Sequence, residues 1–208
     1  METKIIRENM AEAAKLLLDG ELVAVPTETV YGLAANGLDG EAVSRIYTVK
    51  GRPENKPISI LVGGMDTVET FCRDIPNAAY RLAEAFWPGP MTMILKKKEN
   101  VPDIVTAGGD TVGVRCPDHP MTLEILRLAG VPLATPSANP SGMESPTDAD
   151  MVAAYFDGKI PCIVDGGVCS VGLASTIVDL TGEIPRILRK GALTAKMRSE
   201  ALGGVPVE

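Results

Sequence analysis

The chain has 208 residues, 45% of them apolar and 23% charged, and its 20 Lys and Arg against 27 Asp and Glu leave a net charge of -7. That composition supplies core for one generous domain and excludes a disordered chain. The acidic balance and 4% aromatic content argue against a nucleic-acid coat, which needs a basic stripe and stacking platforms.

Residues 9–19 put Met10, Ala13, Ala14, Leu17 and Leu18 at helical spacing, with Gly20 where a helix end favours a left-handed residue, and predict a first helix. Leu22–Val25 reads as a short buried strand stopped by Pro26. After the polar corner Thr27-Glu28-Thr29, extended character resumes over Val30–Ala34. Asp39 caps a second helix, apolar at Ala42, Val43, Ile46 and Tyr47, that ends before Gly51. Ile58–Val62 is the next strand; helices follow over 66–72 and 77–86, the second closed by Pro88-Gly89-Pro90. Strands over Met91–Leu95 and Thr111–Arg115, a helix over 120–129 ended by Gly130, and a strand over 131–134 come next. Residues 135–147 carry three prolines and a glycine and predict a loop of fixed shape. A short helix over 148–155 and strands over 161–164, 175–180 and 185–189 complete the pattern.

Interleaved helices and strands without repeat or compositional break predict an α/β fold. We expect a single domain over 1–193, with a twisted, mostly mixed or parallel β-sheet flanked by helices around a central concave cleft. Residues 194–208 read as a short peripheral tail. Apolar runs have strand length, far below the roughly 20 residues of a bilayer helix. The N-terminus carries charges where a secretory signal needs its apolar core, so a cytoplasmic protein is expected. Cys72, Cys116, Cys162 and Cys169 form no CxxC pair, and His119 is the single histidine. Free thiols in a reducing compartment are therefore expected rather than a zinc site.

No Walker phosphate loop, GxGxxG, HExxH or GxSxG pattern occurs. His119 suits a solvated helix start. The segment Lys50-Gly51-Arg52-Pro53-Glu54-Asn55-Lys56-Pro57 gathers three cations within seven residues of an acidic chain. It is either a solvated helix-to-strand loop or a seat for a polyanion such as a triphosphate, since Gly51 permits close approach, the prolines stiffen the chain, and Arg and Lys suit phosphate oxygens. Three further features bear on that choice. Thr135-Pro136-Ser137-Ala138-Asn139, with Ser145 shortly after, places hydroxyls and an amide on a stiff backbone. Arg115 ends a strand, where it pairs with a ligand carboxylate or forms a structural salt bridge. Ala174-Ser175-Thr176 follows the glycine-rich turn Asp165-Gly166-Gly167. Lys96-Lys97-Lys98 reads as a solvated strand edge that discourages aggregation.

In Pro26-Thr27-Glu28-Thr29-Val30-Tyr31-Gly32-Leu33, Lys50-Gly51-Arg52-Pro53, Lys56-Pro57 and Ser137-Ala138-Asn139, in this order, the sequence resembles the YrdC-like family of threonylcarbamoyl-AMP synthases. The likeness runs over most of the chain. It implies the YrdC-like fold and a reaction in which L-threonine, bicarbonate and ATP give L-threonylcarbamoyl-AMP and pyrophosphate, for threonylcarbamoyl-adenosine modification of tRNA. Mg2+ accompanying the nucleotide and a downstream tRNA threonylcarbamoyl transferase complex are implied as well, without membrane involvement.

Carried over residue by residue, Arg52 and Lys56 match ATP contacts and, with Lys50, make up the catalytic basic motif. Ser137, Asn139, Thr111, Ser145 and Arg189 match further nucleotide positions. Thr29, Arg115, Thr135 and Ser175 match threonine positions, and no side chain is implied as a metal ligand. Leu61 stands where some longer relatives have a histidine near the threonine. The chain stops where longer relatives continue through a linker into a second domain, which fits a natural one-domain member or a separated catalytic domain. Two other readings compete. One is a module that binds double-stranded RNA or tRNA weakly through the loop cations. The other is an ATP-binding paralogue with another acyl donor, like the domain found in hydrogenase-maturation carbamoyltransferases.

Overall fold

A computed structural model describes residues 2–194 and 199–204. In chain order its elements are β1 (Lys4–Ile6), α1 (Met10–Leu18), β2 (Val23–Val25), β3 (Gly32–Asn36), α2 (Gly40–Lys50), β4 (Ile60–Leu61), α3 (Met65–Phe71), β5 (Cys72–Arg73) and α4 (Asn77–Phe86). They continue as β6 (Met91–Lys97), β7 (Thr111–Arg115), α5 (Pro120–Ala129), β8 (Leu133–Ala134), α6 (Ala149–Phe156), β9 (Cys162–Val164), β10 (Thr176–Asp179) and β11 (Arg186–Arg189). Local chemistry sets the helix ends. Asp39 accepts from the amides of Glu41 and Ala42 at the start of α2, Asp148 accepts from Met151 N at the start of α6, and Gly51 and Gly130 close α2 and α5 in left-handed conformation.

The strands form one mixed sheet in the order β1-β9-β2-β3-β8-β4-β7-β6-β10-β11, with β5 added on β6. Parallel pairs (β1 with β9, β9 with β2, β4 with β7, β6 with β10) occur beside antiparallel ones such as β2 with β3 and β6 with β7. Both faces are covered, and β2 shows how: Leu22 and Ala24 enter the larger core with α2, α4 and α6, while Val23 and Val25 enter a second core with α1 and α5. This is the expected α/β single domain around a cleft.

Several expectations need correction. The strand over 58–62 shrinks to two residues, because Ile58 instead bonds its amide to Val105 O in a loop contact. β1 and β5 were not expected; both are very short and carry charged residues, so they give no alternation to read. Lys96 and Lys97 do not lie on an edge, since β6 pairs with β5, β7 and β10. His119 is half-buried rather than solvated. It makes no side-chain cap to α5 and sits against Gly166, where an added Cβ would lie 2.6 Å from its ring. The four cysteines are free thiols. Of the residues read as a tail, 195–198 and 205–208 lie outside the described residues, but Leu202 is buried in the larger core beside Leu193. No helix among the described residues is long and apolar enough to cross a membrane.

Candidate active-site cleft

The corner after β2 is built by Thr27. Its hydroxyl donates to Val30 O (2.7 Å) and accepts from the amides of Thr29 and Val30, a side-chain turn that replaces a strand. Thr27, Glu28 and Thr29 are all buried, at 3%, 5% and 0% exposure. A polar corner this deep needs partners, and β7 supplies one. Arg115 Nη2 donates to Glu28 Oε2 at 2.8 Å and to Thr27 Oγ1 at 3.3 Å, while Glu28 Oε2 also accepts from Asp118 N at 3.0 Å. Burial pulls Arg115 below the ordinary guanidinium pKa, and the Glu28 carboxylate opposes that. Arg115 Nε has no partner. The guanidinium is thus fixed by its carboxylate, and the side chain lines the cleft.

The loop 135–147 packs against the same corner. Leu33 N donates to Pro136 O, Ala138 N to Tyr31 O and Tyr31 N to Pro146 O. A Cβ on Gly32 would lie 2.3 Å from Thr135 Cγ2, so glycine is what lets the two segments touch. Lys50, at the end of α2, holds this loop from behind: its ammonium donates to the carbonyls of Ser137 and Asn139, and its own carbonyl accepts from Ser141 N. Burial, with Arg52 nearby, pushes the Lys50 pKa down to about 8. Asn139 also works inside the loop, donating to Pro140 O and Met143 O.

Beyond α2, Arg52 turns back over its own loop and donates to Lys56 O (3.3 Å) and Pro57 O (2.9 Å), leaving its remaining N–H groups for the cleft. From the far side of the sheet, Arg189 donates to Ser175 O (2.9 Å) and Ser175 Oγ (3.0 Å), and Ser175 Oγ lies 2.7 Å from Thr92 Oγ1.

These segments enclose one cleft. Of the residues read from the sequence, Arg52, Ser137, Ser145, Arg189, Thr29, Arg115, Thr135 and Ser175 line it. Four do not. Lys50 and Asn139 are buried supports of the loop, and the Lys50 ammonium is engaged by the carbonyls of Ser137 and Asn139. Lys56 is exposed on the rim. Thr111 sits at the opposite end of β7 from Arg115, roughly 13 Å away at strand rise. The sequence reading missed Thr27, Ser59 and Thr92, which line the cleft, and Glu28, which holds Arg115. Thr92 carried a signal: it is the one polar residue in the run Met91-Thr92-Met93-Ile94-Leu95.

Three arginines and a set of hydroxyls therefore face one space, and among the described residues its lining includes no Asp, Glu, His or Cys. Such a lining neutralises and orients an anionic ligand and offers no nucleophile or general base of its own.

The comparisons with known proteins agree with one another. A family profile named for Sua5, YciO and YrdC, described as telomere recombination, matches residues 15–191. The threonylcarbamoyl-AMP synthase of Pyrococcus abyssi is 45% identical over 97% of this chain and 61% of its own length; that of Bacillus subtilis is 43% identical over 96% and 58%. The chain thus spans about three fifths of those relatives. A crystal structure of P. abyssi Sua5 complexed with L-threonine superposes with a TM-score of 0.94 at 44% identity, covering 100% of this chain and 63% of that one.

Proposed function

The chain belongs to the Sua5/YciO/YrdC family, and from that premise we propose that it is a threonylcarbamoyl-AMP synthase. L-threonine, bicarbonate and ATP would give threonylcarbamoyl-AMP, pyrophosphate and water, with the product passed to a tRNA threonylcarbamoyl transferase complex in the cytoplasm. The observation that carries the reading is the lining itself: among the described residues, three arginines and a set of hydroxyls with no carboxylate, histidine or cysteine to activate them. An N-carboxylated threonine brings its own attacking oxygen to the α-phosphorus, so the site needs alignment and charge neutralisation.

In this reading Arg52, Ser137, Ser145 and Arg189 hold the nucleotide, while Arg115, Thr29, Thr135 and Ser175 hold the amino acid. Arg115 is the seat for the carboxylate. Lys50 and Asn139 keep the nucleotide loop in shape. The cleft encloses about 280 Å3, below the ~300–1,000 Å3 of drug-sized ligand pockets. A nucleotide would therefore extend past it, with Lys56 and Thr111 as outer contacts. Among the described residues no carboxylate lines the cleft, so Mg2+ would be held by the phosphates and their waters, supplying charge neutralisation there.

The test is pyrophosphate release with ATP, Mg2+ and bicarbonate, comparing L-threonine with L-valine, L-serine and no amino acid, with the product identified by mass. Threonine-dependent pyrophosphate and threonylcarbamoyl-AMP are expected. Turnover independent of the amino acid, or salt-sensitive RNA binding without turnover, would reject the reading. The same assay measures selectivity with Leu61, which lines the cleft.

A further inference from the structure

A second pocket, of about 320 Å3, shares no lining residue with the cleft. Gly63, Gly64 and Met65 line it from the turn into α3, Tyr80, Glu84 and Trp87 from α4 and its C-cap, and Cys116 from the residue after β7. Positions 80, 84 and 87 are spaced four and three apart and so share one helix face. Both rings are already anchored at their polar ends. Tyr80 Oη donates to Glu69 Oε1 at 2.9 Å and Trp87 Nε1 to Met91 O at 2.8 Å. What they offer the pocket is aromatic surface.

The charges around this pocket have one sign. Glu84 lines it, and the Asp66 carboxylate reaches back to Gly64, where a Cβ would lie 3.0 Å from Asp66 Oδ1. Among the described residues no Lys, Arg or His lines the pocket, and neither Glu84 nor Asp66 belongs to an ion pair. Arg81, the one cation of α4, has its guanidinium near Gly203 instead. Burial, joined by the carboxylates of Glu28, Asp118 and Asp66 and opposed by Arg115, pushes the Cys116 thiol up to about 11, so this wall is neutral at pH 7.

Aromatic surface beside unpaired carboxylates selects among ligands. An anion would meet like charge, and a neutral apolar molecule would use the rings while leaving both carboxylates unused. A bare metal ion would gain little from Trp87 and Met65. A cation on an apolar stem satisfies every wall, since the ring quadrupole attracts it, most strongly for tryptophan, and the carboxylates neutralise it. We propose that this pocket binds an organic cation, with a guanidinium or alkylammonium head beside Glu84, Asp66 and the two rings and its stem against Met65. The volume is at the low end of the ~300–1,000 Å3 of ligand pockets and suits a head with a short stem. A free small cation and an arginine side chain of a polypeptide offer the same chemistry.

Trp87 is the single tryptophan of the chain, so its emission reports on this pocket alone. The full chain is titrated at constant ionic strength with n-butylguanidinium, n-butylammonium and uncharged n-butanol. Both cations should give saturable changes in emission, with n-butanol at least about fivefold weaker. Glu84 and Asp66 are exposed, and Glu84→Gln and Asp66→Asn should each raise the n-butylguanidinium Kd about twofold to fivefold, the range of one exposed ion pair. Tyr80→Leu should raise it by a similar factor. A pentapeptide with one central arginine, glycine elsewhere and both ends blocked separates the sources. Affinity equal to that of n-butylguanidinium fits a polypeptide side chain, and affinity lower by tenfold or more fits a free cation.

Equal affinity for n-butanol and the cations would make the pocket merely apolar and overturn the proposal. That comparison needs only wild-type protein, whatever a substitution does to the fold. Emission changes that never saturate, or cation binding that none of the three substitutions weakens, would overturn it as well. Pyrophosphate release is not among these readouts, so failure of the synthase reading would leave this inference standing.

Discussion

Two segments of this acidic chain each bring three cations close together, Lys50 to Lys56 and Lys96 to Lys98, and the fold treats them in opposite ways. In the second, Lys97 pairs with Asp103 at 2.6 Å and donates to Val101 O, Lys98 donates to Glu69 O, and Lys96 lies 3.7 Å from Asp74. In the first, Lys50 is engaged by two loop carbonyls and Arg52 by two more. No carboxylate pairs with Arg52 or Lys56 among the described residues. Carbonyls orient a cation without neutralising it, whereas a carboxylate does both. In the 50–56 segment the fold supplies the first kind of partner and withholds the second, which leaves the charge of Arg52 and Lys56 for an anion.

The sharpest way to break this contrast is Arg52→Ala. Its bonds to Lys56 O and Pro57 O lie at an exposed loop, so the fold should survive with little change in thermal unfolding. Pyrophosphate release should fall by about 100- to 1,000-fold, the usual effect of removing one preorganised donor from a reacting anion. Retained turnover would place the anion elsewhere.

Lys50→Met comes next and should read out as stability first. The ammonium of this buried residue satisfies the carbonyls of Ser137 and Asn139, and methionine leaves both without a donor, a cost of about 1–3 kcal/mol. Urea unfolding measures it. Turnover should fall too, because the loop bearing Ser137 loosens. A fully stable variant with no turnover would instead make Lys50 a direct contact.

Lys50 also predicts a pH effect of defined sign. Its pKa is about 8 in the folded protein against 10.5 for a free lysine. Below pH 8 both states hold the proton and the burial penalty is complete; between the two values the unfolded state binds more protons, so this contribution makes stability rise with pH until about 10.5. Unfolding free energies of wild type and Lys50→Met from pH 7 to 10.5 should diverge across that window. Parallel curves would show that Lys50 titrates normally.

Much of this was legible in the sequence because it is local. Asp39 and Gly51 mark the ends of α2, apolar spacing marks α4, and Pro136 and Pro140 mark a stiff loop. What was not legible is which side chain faces which. Lys50 and Arg52 are two residues apart, yet one points into the protein and the other into the cleft, because α2 ends between them at Gly51. Glu28 reads as a polar corner residue until β7 brings Arg115 against it from 87 positions away. Thr92 and Ser175 meet only because β10 runs parallel to β6. Long-range pairing of this kind leaves no periodicity to read.

The smallest expected effects belong to the other cluster. Lys98 holds Glu69 O from an exposed position and Lys96 sits in a long, exposed contact with Asp74, so alanine at either should change unfolding free energy by no more than about 0.5 kcal/mol. Neither should alter turnover or the KM for ATP. Lys97 is the discriminating member, because its side chain is 11% exposed and its stem packs under the loop at Val101. Lys97→Ala should lower stability by about 1 kcal/mol while ATP binding stays at the wild-type level. If instead Lys97→Ala weakened ATP binding without loss of stability, charge density alone would attract the nucleotide, and the distinction between carbonyl and carboxylate partners would fail as the rule that separates these two regions.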